Sequence, residues 1–220
     1  MHRLLLTLIF LGAFLSLAVV AGAASLEKRN QLELRLGGWT QATGARTEVT
    51  VGSTTTSVNA GGFGGSLGYG HWLSEGWAFN VSVGAMAAQV DIESGVSRVE
   101  TETAVITQIL VGAKHYFPRS TYGSSVRPFL GASIGPSIGS QTRTETGFVV
   151  IVESRTETTL GGQLGAGVDF VAGRHFMIGV SLGYNLMADF NRPIGGSKNY
   201  SGPVFGVGFS YLFGRGTEEG

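Results

Sequence analysis

The chain has 220 residues, 36 of them glycine, with 15 Lys/Arg against 15 Asp/Glu and no cysteine. That length suits one all-β barrel or sandwich and calls for no second domain, while the lack of cysteine excludes disulfides and the absence of a Lys/Arg cluster excludes a nucleic-acid footprint. Charged residues make up only 14%, against about 25% in soluble domains, so side chains fit to face water are scarce.

In chain order, His2 and Arg3 precede an apolar run from Leu4 to Val20 and the small residues Ala21-Gly22-Ala23. This order predicts a secretory signal peptide over residues 1–23, cut after about Ala23. A membrane anchor would need about 20 apolar residues and a basic stop-transfer cluster, and no such cluster follows.

The rest, residues 24–213, reads as eight segments of period two and no helix. They are roughly 30–41, 58–72, 77–90, 101–117, 126–139, 158–171, 176–186 and 202–213, with a polar tail at 214–220. In a strand alternate side chains point to opposite faces. One face is consistently large and apolar: Leu32, Leu34 and Leu36 in the first segment, Phe63, Leu67 and Tyr69 in the second, Phe205, Val207, Phe209, Tyr211 and Phe213 in the last. The other is Gly, Ser, Ala, Asn and Gln with an occasional charge. Links between segments alternate long and short, as in an up-and-down barrel with long loops on one side and turns on the other. The expected fold is all-β, an eight-stranded antiparallel up-and-down transmembrane β-barrel. The Thr- and Ser-rich stretches 46–59 and 140–159 are expected to extend the hairpins beyond the membrane, since Phe148, Val150 and Val152 keep the parity of Leu160; ten strands remain an alternative if 140–157 holds an extra hairpin.

Which face looks inward follows from composition. A water-facing exterior needs about 25–35% charged side chains, and the weaker faces here carry far fewer. They fit a narrow interior, which eight strands leave just wide enough for side chains to fill. The apolar parity therefore faces lipid. The lumen is expected to hold a polar network of Glu33, Arg35, Gln108, Lys114, Gln163 and Asp169, with Glu102 and Arg127 near its ends. Charges sealed there must pair. An aromatic girdle is expected at the turn end from Trp72, Trp77, Phe117, Phe170, Phe176, Tyr211 and Phe213, with Trp39 and Tyr200 towards the loop end.

The signal peptide, the eight amphipathic segments and the phrases AKHYFP (113–118), VRPFLGASIG (126–135) and LGAGVDF (164–170) resemble the small bacterial outer-membrane β-barrel superfamily of OmpA and OmpX type. The resemblance implies a Gram-negative outer-membrane location, periplasmic termini and turns, extracellular loops, and insertion by the barrel-assembly machinery. Its implied surroundings are outer-membrane lipid and lipopolysaccharide. Family members include adhesins, resistance proteins, narrow channels and a few lipid enzymes.

Catalysis is not expected. His71, His115 and His175 fall at the turn side, away from the outer leaflet where a lipid-modifying enzyme finds its substrate, and no His-x-Ser arrangement occurs. No two histidines share a strand, so no metal site is expected, nor any cofactor. The expected function is a non-catalytic monomer with a structural or adhesive role, meeting a surface partner through its loops. A narrow channel or small-ligand conduit is the alternative.

Overall fold

Eight long strands close into one antiparallel barrel in the computed structural model, which describes residues 26–42, 49–51, 54–58, 61–92, 99–118, 125–146 and 151–214. The strands are β1 (Asn30–Thr40), β2 (Gly61–Ser74), β3 (Trp77–Ile92), β4 (Val99–Tyr116), β5 (Val126–Thr146), β6 (Ile151–Ala172), β7 (Phe176–Met187) and β8 (Gly202–Phe213). Each pairs with its chain neighbours, and β1 closes the ring on β8 from Asn30↔Phe213 to Trp39↔Val204. Closure gives the strand backbones hydrogen-bond partners without water, which hydrocarbon demands. The signal peptide, the tail at 215–220, Phe148 and Val150 lie outside the described residues.

Alternation sorts the side chains as the period requires. On β8, Phe205, Val207, Phe209 and Tyr211 are exposed, while Gly206, Gly208 and Ser210 are buried. The inward glycines make room for the lumen charges. A Cβ on Gly206 would lie 3.1 Å from Arg35 Cγ, and one on Gly208 3.1 Å from Glu33 Oε1. At Gly179 of β7 a Cβ would lie 2.0 Å from Asp169 Oδ1. Gly179→Val is therefore expected to push the Asp169 carboxylate out of place and cost about 1–3 kcal/mol, the usual penalty of overpacking. Urea unfolding in phospholipid vesicles, followed by tryptophan fluorescence, reads the loss.

The two ends differ in height. At the turn end the strands join through 75–76, 117–125 and 173–175. At the loop end, among the described residues, the wall rises on one side only. There β3 and β4 pair up to Ile92↔Glu100, and β5 and β6 pair up to Glu145↔Ile151. Thr54–Val58 pairs with the top of β3, and Val49–Val51 pairs in turn with Thr54–Thr56. β1 and β7 stop low, at Thr40 and Met187, and β8 starts low, at Gly202.

Several sequence boundaries are corrected by this. β5 runs on past Gly139 to Thr146 and β6 starts at Ile151 instead of Thr158. Alternating Thr, Ser and charges reads as a link in composition, yet threonine suits a pleated strand. Residues 140–146 and 151–157 thus heighten an existing hairpin, as the parity of Val152 with Leu160 implies, and add no stave, so the barrel has eight strands, not ten. β2 proper begins at Gly61, with Thr54–Val58 a separate piece before it.

Candidate functional site

The lumen is layered, with an apolar cluster at each end and a polar layer between. At the turn end, Leu26, Trp72, Ala78, Tyr116, Phe129, Val171, Met177 and Leu212 form a buried cluster. Trp72 stacks on Tyr116 at 4.3 Å between ring centroids, and Tyr116 meets Phe129 at 5.5 Å. The segment before β1 turns across this mouth at Lys28, whose φ is 63°. Lys28 N donates to Trp72 O and Trp72 N to Arg29 O, both at 2.9 Å. Leu26 N donates to Glu75 Oε1 at 2.7 Å, while Arg127 Nη1 and Nη2 donate to Glu75 Oε2 at 2.9 and 3.0 Å. Arg127→Ala is expected to loosen this latch at a cost of about 2 kcal/mol, the scale of a hydrogen bond to a charged group. The same unfolding assay checks it, and Glu75→Gln is expected to cost less because Arg127 can still donate to the amide oxygen.

In the polar layer two cations face two anions. Arg35 Nη2 donates to Glu33 Oε1 at 2.5 Å and Lys114 Nζ to Glu33 Oε2 at 2.9 Å. Lys114 Nζ also stands 4.0 Å from Asp169 Oδ2, which accepts the Tyr116 hydroxyl at 2.7 Å. Below them Gln31 donates to Ser210 Oγ at 2.8 Å and accepts Trp72 Nε1 at 3.2 Å. Above them Gln108 Nε2 donates to Ser137 Oγ and Asn185 Oδ1, both at 3.0 Å. Cavities of about 90, 50 and 50 Å³ remain beside Arg35 and Gln163. Each has room for one to three waters at about 30 Å³ apiece.

At the loop end Trp39, Met86, Ala104, Ile106, Met187, Phe190, Ile194 and Tyr200 form the second buried cluster. Three of these belong to the β7–β8 connection, which folds into the mouth. Phe190 N donates to Lys198 O at 2.8 Å, Gly195 N to Gln141 Oε1 at 3.0 Å and Asn199 Nδ2 to Met187 O at 2.8 Å. Gln41 Nε2 donates to Ser197 Oγ at 2.7 Å, and the Tyr200 hydroxyl donates to Ile194 O.

Of the residues expected in the lumen, Glu33, Arg35, Lys114 and Asp169 meet in one network. Gln108 belongs to a second one with Ser137 and Asn185, and Gln163 lines the cavities. Glu102 stands opposite Arg143 in the register of β4 and β5. Trp77, Phe117, Phe176 and Tyr211 are exposed at the turn end, and Phe170 and Phe213 are half-buried there. Trp72 is a correction: it is fully buried inside, not part of the girdle. It shares the inward parity of Gly62, Gly64, Ser66, Gly68 and Gly70, and its place at the strand end does not override that parity. Trp39 and Tyr200 are likewise buried in the loop-end mouth. The parity of Tyr116 and Phe129 signals the turn-end cluster. Phe190 and Ile194 lie in a stretch without periodicity, so no comparable signal marks them.

The three described histidines make separate contacts. His71 Nδ1 lies 2.9 Å from Asn30 Oδ1, His115 sits between Trp77 and Phe117 at 4.6 and 5.6 Å, and His175 Nδ1 donates to Leu212 O at 3.1 Å. Among the described residues no group of His, Cys, Asp or Glu has the geometry to hold a metal.

The outer membrane protein beta-barrel domain, as a family, matches residues 9–213. Among solved structures, Ail, the attachment invasion locus protein of Yersinia pestis, crystallised with the heparin analogue sucrose octasulfate, superposes with a TM-score of 0.54 at 16% identity, covering 85% of this chain and 99% of that one. The outer membrane protein OprG of Pseudomonas aeruginosa gives 0.51 at 14% identity, covering 88% and 99%. A major outer membrane protein of Thermus thermophilus gives 0.50 at 14%, covering 84% and 99%. At these identities the likeness is one of fold. No curated protein matches the sequence.

Proposed function

This chain belongs to the outer membrane protein β-barrel domain family, and from that premise we propose that it is a sealed, non-catalytic barrel acting through the tall side of its loop end. One observation carries the reading: a buried apolar cluster blocks each mouth, with paired charges between them. A conduit needs a continuous wet path. The separation of the histidines, each engaged with neighbours at the turn end, supports the non-catalytic part.

In this reading residues 1–23 are a cleaved signal peptide, the barrel-assembly machinery inserts the chain, lipopolysaccharide surrounds the upper strands, and the turn end faces the periplasm. Thr156→Cys is expected to react with a membrane-impermeant maleimide on intact cells, and Arg174→Cys only after lysis; the reverse pattern would invert the orientation. The sulfated ligand seen with Ail is a poor guide here. The loop-side stretches 41–60, 88–103, 139–160 and 187–201 carry nine Asp/Glu against six Lys/Arg, so a polyanion meets net repulsion. The wild-type protein in a planar bilayer is expected to give no discrete conductance steps; steps would overturn the sealed reading in favour of the channel.

A further inference from the structure

On the tall side of the loop end, β6 is left with one edge bare among the described residues. From Ile151 to Leu160 it pairs with β5 on one side, whereas β7 joins it on the other only from Gly161↔Met187 downward. Contacts from the β7–β8 connection reach Leu160 O, from Ala188 N at 2.9 Å, and the Thr159 hydroxyl, which donates to Asp189 O at 3.3 Å. Ser154–Thr158 lies above them, and all of it but Glu157 is exposed. Natural sheets blunt such edges with Pro, bulges, short length or charges, inward-pointing ones included; of these the edge carries only its two charges, Arg155 and Glu157, which are opposite in sign and so can be matched by a partner strand. SRTET has no Pro, Gly or Lys and stays in regular register with β5.

The charges on this edge are ordered. Arg155 and Glu157 share the inward parity, and across the ladder they meet Gln141 and Gly139, which are uncharged. Besides this, Glu157 Oε1 has Arg192 Nε at 3.9 Å, on a side chain 70% exposed, a weak pairing. The opposite parity, Ser154, Thr156 and Thr158, presents hydroxyls. Resting on the surface-interaction reading above, we propose that this edge binds an extended segment of a partner protein by antiparallel strand addition, and that it selects a Lys/Arg-x-Asp/Glu sequence. In that pairing the cation falls opposite Glu157 and the anion, two residues on, opposite Arg155, while main-chain bonds supply the affinity. A second copy of this chain fits less well. Copies in one membrane carry β6 in the same direction, so their edges would meet in parallel and set Arg155 beside Arg155.

The test uses the full barrel in phosphatidylcholine nanodiscs and two labelled peptides, TVTKTETVT and its charge-reversed form TVTETKTVT, measured by fluorescence anisotropy. The Lys-x-Glu peptide is expected to bind at least tenfold more tightly, and N-methylation along one of its edges is expected to abolish binding. The double variant Arg155→Glu with Glu157→Arg, checked for barrel formation by heat-modifiable gel migration, is expected to reverse the preference. Equal binding of the two peptides, binding that survives N-methylation, an unreversed preference or no binding at all overturns the proposal. The wild-type bilayer recording separates the failures: steps there sink the sealed reading itself, whereas a silent bilayer with indifferent peptides sinks only the edge.

Discussion

Glu33→Ala is expected to destabilise the barrel by about 3–5 kcal/mol, the range for removing one partner of a buried ion pair. Glu33 is the single acceptor shared by Arg35 and Lys114, at 2.5 and 2.9 Å, and the three side chains are 15%, 25% and 9% exposed. Without it Lys114 keeps only Asp169 at 4.0 Å and its place 4.7 Å from the Phe129 ring, and Arg35 loses its ion pair. Lys114→Met is expected to cost less, because Glu33 keeps Arg35 and Asp169 keeps the Tyr116 hydroxyl. The double variant should then fall well short of the sum of the singles, since contacting residues do not add. Urea titrations in short-chain phosphatidylcholine vesicles give all three numbers. A Glu33→Ala cost below about 1 kcal/mol would mean that water in the lumen screens these charges as a protein surface does.

Opening one mouth is expected to leave the bilayer silent, and opening both to produce discrete conductance. In the sealed reading the two clusters lie in series, so that either alone suffices to block the path. At the loop end Phe190, Ile194 and Tyr200 come from one connection, and replacing residues 189–199 by a short Gly/Ser linker removes two of them and frees the third. At the turn end Trp72→Ala removes the ring stacked on Tyr116, and Phe129→Ala widens the gap. Aromatic-to-alanine changes in a core cost about 3–5 kcal/mol each, so folding must be confirmed by gel migration before recording. Conductance from the loop-shortened variant alone would show that the turn-end cluster does not seal.

Much of this architecture is legible in the sequence because a barrel wall repeats one rule. Leu32, Leu34 and Leu36, or Val180 and Leu182, declare their face by parity alone, and the same parity puts Glu33, Arg35, Lys114 and Asp169 in one lumen. Where an expectation departs from parity it fails. A position at the strand end points Trp72 to the girdle, although its alternation already sets it inside with the glycines of β2. The loop-end closure is hidden for a different reason. Phe190 and Ile194 are buried by the path of an irregular connection, held by Gln41, Gln141 and Asn199, and irregular backbone leaves no period to read. Strand length at the loop end is only partly legible: the alternation of Thr with charge buries nothing in lipid, so the strand bounds read short at Gly139 and Thr158, and only the parity that Val152 shares with Leu160 points to the longer hairpin.

The join between β1 and β8 has a bearing on how the chain folds. Asn30 pairs with Phe213, near opposite ends of the sequence, and Arg29 Nη2 donates to Leu212 O across a separation of 183 residues. Bringing such distant points together costs on the order of 4–5 kcal/mol of chain entropy by the length-dependent part alone. No early event can meet that cost, because both interior clusters straddle the seam, Leu26 with Leu212 and Trp39 with Val204. The last strand made must therefore find the first one before either cluster is complete. High contact order of this kind makes folding slow, so the open sheet, with both edges unpaired, is the species that needs protection while it waits to close.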